Sequence, residues 1–289
     1  MHAAFEKSEP DERAMMRFMA TQQDACVTPE RLRAVAVEAS KAAGRILLNF
    51  AKEGFTVQRK NPIDLVTDAD HAAEQCIIDH IRRHFPSHQT LAEERGADTH
   101  FPSRYRWIID PLDGTTNFAH GFPVYAVSIG VECDGQAVIG VVYDPSRDEL
   151  FTAEAGHGAH VSDRLISVSQ TPRLGEALTV TGFSYDIRET LNNNLDHFVR
   201  FALAAEGVRR TGSAALDLCY VAAGRFDGFW EIKLNPWDMA AGVLIVREAG
   251  GCVTDLRGNA HSIYQPELVA SNGRIHDEML DVIRDSLRP

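Results

Sequence analysis

Acidic residues follow a short apolar run in the segment WIIDPLDGTTNF, which covers residues 107–118. The apolar start is typical of a buried strand whose end delivers Asp110 to a rim, and the proline after it starts a turn that can bring Asp113 back toward Asp110. Two carboxylates held close together are unfavourable unless a cation neutralises them. Gly114 lets a ligand approach the backbone, and Thr115 can open a short helix whose free N–H groups point at an anion. The segment therefore predicts a site for a metal ion and a phosphate, in preference to an acidic surface turn with a capped helix.

Two other segments supply acidic side chains where a strand is expected to end or a helix to begin. Glu93 and Glu94 follow the apolar residues TLA, and Asp238 lies in NPWDMAAG, where the asparagine caps a helix and the proline takes its first position. Taken alone, the glutamates fit a solvated face and Asp238 fits a helix start, where the dipole favours negative charge. With Asp110 and Asp113 they form an all-oxygen ligand set without nearby His or Cys, which favours Mg²⁺ or Mn²⁺ over zinc. Two such ions could stabilise the attacking and leaving oxygens of an in-line displacement.

The composition limits the classes of partner that such a site could bind. The 289 residues fit one large domain or two lobes, and 29 Lys and Arg against 41 Asp and Glu give a net charge of −12. A chain this acidic repels a phosphate backbone, so we expect no direct nucleic-acid partner, and an anionic substrate requires a local cation. No apolar run approaches the length of a membrane span, and the first residues hold no signal-peptide core. Five widely spaced cysteines without C-x-x-C indicate reduced thiols, so we expect a cytoplasmic protein without a membrane partner.

Helical spacing predicts two helices upstream of the acidic motifs. Thr28 and the proline after it are typical of an N-cap and a first helical position, and the apolar spacing continues to about residue 52. A second helix is expected from about Asp68 to Phe85, with Thr67 as its cap. Its buried face is expected to hold Ala73, Cys76, Ile77, His80 and Ile81.

The rest of the chain reads first as strands and then as alternating strands and helices. The middle strands are expected at Tyr105–Ile109, Val124–Cys133, Gln136–Tyr143 and Glu149–Ala153, with a hairpin turn at Asp134-Gly135. Later strands are expected near Leu178–Thr181, Gly228–Trp230, Cys252–Thr254 and Leu268–Ala270, and helices near 189–205, 213–223, 237–249 and 274–286. We therefore predict a layered α/β (α+β) fold with a flexible N-terminal extension at 1–27. An N-terminal α+β lobe at 28–175 carries the metal and phosphate motif, and a C-terminal α/β lobe at 176–289 completes the site.

Several ordered motifs resemble those of the inositol monophosphatase family. They are WIIDPLDGTTNF, the Glu93-Glu94 pair, DLVTDAD at residues 64–70 and PWDMAAG around Asp238, and the resemblance covers about residues 28–289. It implies an αβαβα sandwich of the inositol monophosphatase and sugar phosphatase type, usually a homodimer. It also implies Mg²⁺-dependent hydrolysis of small phosphate monoesters, commonly inhibited by Li⁺. The chain departs from the family pattern at Ala92, where a glycine commonly stands, and residues 1–27 have no counterpart.

The resemblance also assigns roles to individual residues. The first metal's ligands match Glu93, Asp110 and the carbonyl of Leu112, and the second metal's ligands match Asp110, Asp113 and Asp238. The threonine that helps to activate water matches Thr115, and its supporting acid matches Asp70. The phosphate would rest on the N–H groups of Gly114 and Thr115. The substrate's hydroxyls would meet Gly212, Ser213, Ala214 and Glu231, and Asp113 and Asp238 would also face the substrate.

Together these features predict hydrolysis of a small phosphorylated polyol, foremost myo-inositol monophosphate, in a two- or three-metal site. We expect direct attack by metal-bound hydroxide, oriented by Thr115 and Asp70, with Asp110 essential and no phospho-enzyme. Fructose 1,6-bisphosphate and histidinol phosphate remain alternative substrates, since Glu231 could equally be a structural acid at a strand end. Family resemblance also leaves open a regulatory interaction protein that acts through protein partners.

Two further interpretations are less favourable. Asp68 could be the nucleophile of an aspartyl-phosphate phosphatase of the haloacid dehalogenase type. Such a nucleophile must follow a buried strand, and a helix start accounts for Asp68 more simply. The basic pairs Arg82-Arg83 and Arg209-Arg210 are too few and too scattered for RNA binding, and they fit solvated faces.

Overall fold

The computed structural model describes residues 27–61, 64–100 and 103–286. The predicted N-terminal extension, residues 1–27, lies outside this part of the chain except for Val27. The described helices are α1 (Pro29–Glu53), α2 (Asp68–His84), α3 (Thr115–Ala119), α4 (Leu195–Ala204), α5 (Ala214–Ala222), α6 (Pro236–Glu248) and α7 (His276–Ser286). The described strands are β1 (Val57–Asn61), β2 (Asp64–Thr67), β3 (Gln89–Ala92), β4 (Gly96–Asp98), β5 (Tyr105–Asp113), β6 (Ala126–Cys133), β7 (Gln136–Asp144), β8 (Glu149–Glu154), β9 (Ala159–Val161), β10 (Arg164–Ile166), β11 (Leu178–Thr181), β12 (Gly207–Arg209), β13 (Gly228–Ile232), β14 (Cys252–Thr254) and β15 (Glu267–Ser271).

Helices α1 and α2 form one outer layer, and both begin at the predicted caps. Thr28 accepts a hydrogen bond at its Oγ1 from the third residue after it, and Thr67 forms a capping box with Asp70. The two helices pack on each other and on strands β5, β6 and β7. On α2 the prediction is partly wrong, since Cys76 and His80 are only half-buried. The buried face is instead completed by Glu74 and Ile78 together with the predicted Ala73, Ile77 and Ile81.

The larger sheet has eight strands in the order β10-β9-β8-β7-β6-β5-β3-β4, and only the β3–β5 pair is parallel. The predicted hairpin between β6 and β7 is confirmed: Asp134 and Gly135 have φ of 50° and 76°, the positive angles that a tight two-residue turn requires. Strand β5 is longer than predicted. Pairing with β6 is irregular after Asp110 and resumes where Asp113 faces Ala126, so the strand continues through the acidic motif.

The smaller sheet has five strands in the order β12-β11-β13-β15-β14. Strand β11 runs parallel to both of its neighbours, so the loops after β11 and β13 emerge at the same edge. Helix α4 starts at Leu195, six residues later than predicted, because Asn194 has a left-handed backbone that the helix cannot include. Strands β1, β4, β9, β10 and β12 are short pairings that the sequence pattern does not reveal.

Helices α5 and α6 fill the space between the two sheets. Helix α6 contacts β5 to β8 on one side and β14 and β15 on the other, and α5 packs beside it. A Cβ at Gly140 on β7 would lie 2.7 Å from the carbonyl oxygen of Ala241, so the missing side chain is what lets α6 approach the sheet. Helices α4 and α7 cover the outer face of the smaller sheet around Phe201, Trp230 and Met279. The layers therefore follow the predicted αβαβα order.

The two sheets use separate parts of the chain. The strands of the larger sheet lie between residues 89 and 166, and those of the smaller sheet lie between residues 178 and 271. We therefore propose that the N-terminal lobe ends at residue 175 and the C-terminal lobe begins at residue 176. No helix in the described ranges is both long enough and apolar enough to cross a membrane.

Candidate active site

One cavity of about 130 Å³ brings together the predicted site residues from distant parts of the chain. It opens where the end of β5, the start of α5 and the start of α6 meet. Except for Asp70, every predicted site residue lines it: Glu93, Asp110, Leu112, Asp113, Gly114, Thr115, Gly212, Ser213, Ala214, Glu231 and Asp238. Asp70 lies directly behind the wall and contacts Thr115.

The two aspartates of the central motif are held by different layers. Asp110 is buried on β5, and its Oδ1 accepts a hydrogen bond from the backbone N–H of Leu112 at 3.0 Å. Asp113 is held by helix α5 instead. Its Oδ2 accepts hydrogen bonds from Ser213 Oγ at 2.6 Å and from the N–H of Ala215 at 2.8 Å, both at the start of α5. Assembly of this site therefore requires the helices between the sheets to be in place.

Glu93 reaches the cavity because β3 runs parallel to β5. Ala92 pairs with Ile109, and the N–H of Glu93 donates to the Ile109 carbonyl at 3.2 Å, so Glu93 comes to lie level with Asp110. The turn that follows is fixed from behind by Glu74 of α2. This fully buried side chain accepts a hydrogen bond at Oε2 from the N–H of Glu94 at 2.8 Å. Only its spacing, one helical turn after Asp70, marks it in the sequence.

Asp238 lies in the first turn of α6, as its cap predicts. The backbone N–H of Asn235 donates to Asp238 Oδ2 at 2.7 Å, which completes a capping box. One oxygen of this carboxylate therefore fixes the helix start, and the side chain is half-buried at the cavity wall.

The acidic cluster is electrostatically unfavourable by itself. Burial, followed by the charges of Glu93, Asp113 and Asp238, raises the pKa of Asp110 well above its usual range. Burial raises the pKa of Asp113 to about 6, and desolvation together with the charge of Asp113 raises the pKa of Asp238 to about 8. A cation in the cavity would remove this repulsion.

The chemistry of the donors fits a hard divalent cation, since the cavity offers carboxylate and carbonyl oxygens but no imidazole or thiolate. In the described part of the chain, however, no group of three or more His, Cys, Asp or Glu side chains is arranged to hold a metal ion. Asp113 and Asp238 instead direct one oxygen each to donors of the protein. The residues that line the cavity are therefore of the types that bind a metal. Which of them are ligands stays a prediction.

Thr115 and Asp70 form a buried pair beside the acids. Thr115 Oγ1 lies 3.1 Å from Asp70 Oδ1 and 3.0 Å from the carbonyl oxygen of Leu112, so its single proton is donated to one of these acceptors. Asp70 is fixed in turn because its Oδ2 accepts from both the N–H and the hydroxyl of Thr67. Burial raises the pKa of Asp70, and the hydrogen bonds from Thr67 oppose this effect. The hydroxyl of Thr115 is therefore oriented with its lone pairs available to a bound water.

Gly114 allows the chain to turn from β5 into α3. Its φ is 100°, and a Cβ there would lie 2.9 Å from the carbonyl oxygen of Val124. No other residue type fits this position without displacing the backbone around the cavity.

The opposite wall carries polar groups that could meet a substrate's hydroxyls. Glu231 at the end of β13 is buried, and its carboxylate lies against Gly182, where a Cβ would be 2.2 Å from Oε1. Asp217 of α5 is buried as well and accepts a hydrogen bond from Thr211 Oγ1 at 2.5 Å. Burial raises the pKa of both carboxyls well above their usual range.

Of the lining residues that were not predicted, three have acidic or basic side chains: Asp217, Arg210 and Lys233. Arg210 is exposed, as the interpretation of a solvated face predicts, and it also borders the cavity. Asp68 behaves as the helix start predicts. It is exposed, accepts a hydrogen bond from the N–H of Thr56 at 2.9 Å and does not line the cavity, which argues against a nucleophilic role.

Comparisons with known proteins agree with this architecture. A family model described as Inositol monophosphatase family matches residues 28–288. A protein of Synechocystis sp. named inositol-1-monophosphatase is 47% identical over 246 residues, which are 85% of this chain and 86% of that protein. An Escherichia coli protein named Nus factor SuhB is 42% identical over 255 residues, 88% and 96% of the two chains. The solved inositol monophosphatase of Anabaena (Nostoc) sp. is 44% identical with a TM-score of 0.81, and the match covers 89% of this chain and 96% of that one.

Proposed function

The chain belongs to the inositol monophosphatase family and is a phosphoric monoester hydrolase, and we propose that its substrate is myo-inositol monophosphate, cleaved with Mg²⁺ as the metal. One observation carries this proposal. The acids that could hold a cation and the buried Glu231, which could accept hydrogen bonds from a polyol, line a single cavity although they come from separate segments of the chain. The name of the Synechocystis relative supports the same substrate.

The metal would be held by the carboxylates of Glu93, Asp110, Asp113 and Asp238, together with the carbonyl oxygen of Leu112. When bound, Mg²⁺ or Mn²⁺ would neutralise the phosphate's charge and make water a stronger nucleophile. This role explains why an acidic cavity in an acidic chain could accept an anionic substrate. We also propose sensitivity to Li⁺, as the family implies.

The chain's own groups would then position the reactants. The N–H groups of Gly114 and Thr115 would receive the phosphate, since the turn into α3 leaves them without partners inside the helix. Because Thr115 donates its proton to Asp70 or Leu112, its lone pairs can accept a hydrogen bond from the attacking water and orient it. No side chain needs to form a covalent intermediate.

The leaving group would lie toward the opposite wall. Its hydroxyls could donate to the carboxylate of Glu231, while Gly212, Ser213 and Ala214 bring the backbone at the start of α5 close to the ring. Asp113 and Asp238 would border the phosphate and the leaving group from the metal side.

A panel of phosphate esters tests the substrate. We expect kcat/KM for inositol 1-phosphate to exceed that for fructose 1,6-bisphosphate and histidinol phosphate in the presence of Mg²⁺. Glu231→Gln should reduce the preference by about tenfold or more, because the amide replaces one of the two hydrogen-bond acceptor oxygens with a donor. An unchanged preference would mean that Glu231 does not recognise the polyol. Asp110→Asn should abolish most turnover on all three substrates, and near-normal kcat in that variant would contradict the proposed metal site.

We further propose a homodimer in the cytoplasm. The dimer follows from family membership, and the described cysteines are all free thiols, as a reducing compartment requires. Sedimentation equilibrium would test the dimer, and fractionation of the native host would test the location. A monomer at micromolar concentration, or recovery outside the cytoplasm, would contradict the respective proposal.

A second candidate function is a regulatory role through protein partners, favoured by the Escherichia coli relative named Nus factor SuhB. Pull-down with the Asp110→Asn protein would separate the two functions. Partners retained by the inactive protein would indicate a role that does not need catalysis. Partners lost with activity would argue against it.

A further inference from the structure

Lys233 has an unusual backbone conformation for its residue type. It directly follows β13 and stands two residues after Glu231, and its φ is 62°. This left-handed region suits glycine and asparagine but is sterically unfavourable for lysine, whose Cβ approaches a backbone carbonyl oxygen. A residue held there requires compensating contacts, and such outliers often mark functional positions.

The compensating contacts are polar and come from one neighbouring loop. Lys233 Nζ donates to Asp186 Oδ2 at 2.5 Å and to Thr190 Oγ1 at 2.8 Å. Asp186 also accepts a hydrogen bond from Ser184 Oγ at 2.5 Å. Both partners of Lys233 belong to residues 182–194, here called the substrate loop, which follows β11. Because β11 and β13 are parallel, their carboxyl ends place Lys233 beside this loop.

The two ends of the substrate loop are already fixed by other means. Asn194 is buried, and its Nδ2 donates to the Gly182 carbonyl at 2.7 Å and to Thr181 Oγ1 at 2.8 Å. Its Oδ1 accepts from Trp230 Nε1 at 2.9 Å. Hydrogen bonds therefore join the two ends of the loop to each other and to β13. Lys233 fastens the part between these ends, which carries Ser184 and Tyr185 along the cavity.

Lys233 also stands where two cavities meet. Ser184, Tyr185 and Lys233 line both the active-site cavity and a second cavity of about 300 Å³ on its outer side, where Asp186 and Glu189 complete the wall. The ammonium of Lys233 is neutralised by Asp186, so Glu189 leaves the outer cavity with a negative balance.

We propose that Lys233 is a positioning residue that determines leaving-group specificity: its ion pair with Asp186 fastens the substrate loop across the outer end of the cavity and restricts the site to compact leaving groups. The inference rests on the proposed phosphatase site. It predicts that Lys233 affects which substrate binds but not the rate of phosphoryl transfer.

The first test replaces the cation without straining the backbone. Asparagine readily adopts the left-handed conformation, so Lys233→Asn should fold as well as the parent protein. We expect kcat for inositol 1-phosphate to change less than twofold and its KM to rise. The ratio of kcat/KM for inositol 1-phosphate to that for the bulkier adenosine 2′-monophosphate should fall by about threefold to fivefold, the upper part of the range for a partly exposed ion pair. Ser162→Asn is a matched control, because Ser162 also has a positive φ, 53°, but is remote from the cavity.

The second test restores the pair with reversed charges. Asp186→Asn should reproduce the lowered ratio, and Lys233→Asp combined with Asp186→Lys should recover it, since aspartate also tolerates a positive φ. Amide exchange in residues 184–190 should accelerate in the single variants and slow again in the reversed pair. Equal losses on both substrates, or a ratio that stays within twofold in both single variants, would overturn the proposal.

Failure of the substrate proposal would be recognised separately. If the parent protein prefers another compact phosphate ester, the ratio is measured with that ester against adenosine 2′-monophosphate. A changed ratio then supports the role of Lys233 while contradicting inositol phosphate as substrate.

Discussion

Ser213 donates a hydrogen bond from its Oγ to Oδ2 of Asp113 over 2.6 Å, although 100 residues separate the two in the chain. The bond joins the end of β5 in the larger sheet to the first turn of α5, and the N–H of Ala215 donates to the same oxygen. A carboxylate that lines the cavity is therefore held by the helix layer between the sheets. The cavity is therefore complete only when the helix layer packs against the larger sheet.

Removal of the Ser213 hydroxyl should lower the stability of the protein. Ser213→Ala deprives the buried Asp113 of one donor and removes the side-chain cap of α5, where Ser213 Oγ accepts from the N–H of Leu216. We expect the free energy of unfolding to fall by about 1–3 kcal/mol, measured by urea denaturation. Ser167→Ala is a suitable control, because Ser167 is exposed. Equal stability of the two variants would show that the bond contributes nothing.

Local signals predicted the elements that carry the site, because capping chemistry acts over a few residues. Thr67 with Asp70, and Asn235 with Asp238, form the capping boxes that begin α2 and α6. In each box the acid that fixes the helix start is also a predicted site residue. Because these acids lie at a strand end and at helix starts, the sequence could predict that they come together. It could not predict the distances between their carboxylates.

The features that escaped prediction depend on contacts between distant segments. Strand β5 continues past Asp110 because Asp113 finds a partner on β6, which no local pattern encodes. Glu74 reads as an ordinary acid on a helix until the turn after β3 is docked on it. Lys233 reads as a surface lysine, and its role depends on a loop that begins about 50 residues earlier in the chain.

Substitution of Glu74 should weaken the binding of Mg²⁺ more than the binding of the substrate. It holds the turn that contains Glu93, and Arg95 approaches its other oxygen at 3.3 Å, so Glu74→Ala would release that turn. We expect the Mg²⁺ concentration for half-maximal activity to rise by about tenfold or more, as for other residues that orient metal ligands, with little change in the KM for substrate at saturating Mg²⁺. Titration of activity with Mg²⁺ measures this.

Asp79→Ala is the matched control for Glu74, because Asp79 lies on the exposed face of the same helix. If both variants require the same Mg²⁺ concentration as the parent protein, Glu74 does not position Glu93. A tenfold rise in substrate KM at saturating Mg²⁺ would equally contradict the prediction.

His88 should make the protein less stable in acid. Its Nδ1 accepts a hydrogen bond from Trp107 Nε1 at 2.9 Å, and burial lowers the pKa of His88 to about 4. Between pH 6.5 and 4 the unfolded chain binds a proton at this residue and the folded chain does not, so the free energy of unfolding falls as the pH falls. The full loss is about 3 kcal/mol by pH 4. Above pH 6.5 neither state is protonated, and the contribution is constant.

Urea denaturation at a series of pH values would measure this slope. His88→Gln should be less stable at pH 7, because the stacking on Phe85 and Tyr105 is lost, but its stability should depend less on pH between 6.5 and 4. The exposed His71 provides the control variant His71→Gln, whose slope should match that of the parent protein. An identical slope in all three proteins would exclude His88 as the source.

Thr115 provides the sharpest test of the chemistry, because its hydroxyl can be removed without changing the shape of the site. Valine matches threonine in volume and suits this buried position, so Thr115→Val should fold while removing the hydroxyl that lies 3.1 Å from Asp70 Oδ1. If the hydroxyl orients the attacking water, kcat should fall by about a hundredfold or more with a small change in KM, since only the reacting water loses its partner. Thr115→Ser keeps the hydroxyl and should retain most of kcat. A valine variant as active as the serine variant would remove Thr115 from the mechanism and leave it as a packing residue at the start of α3.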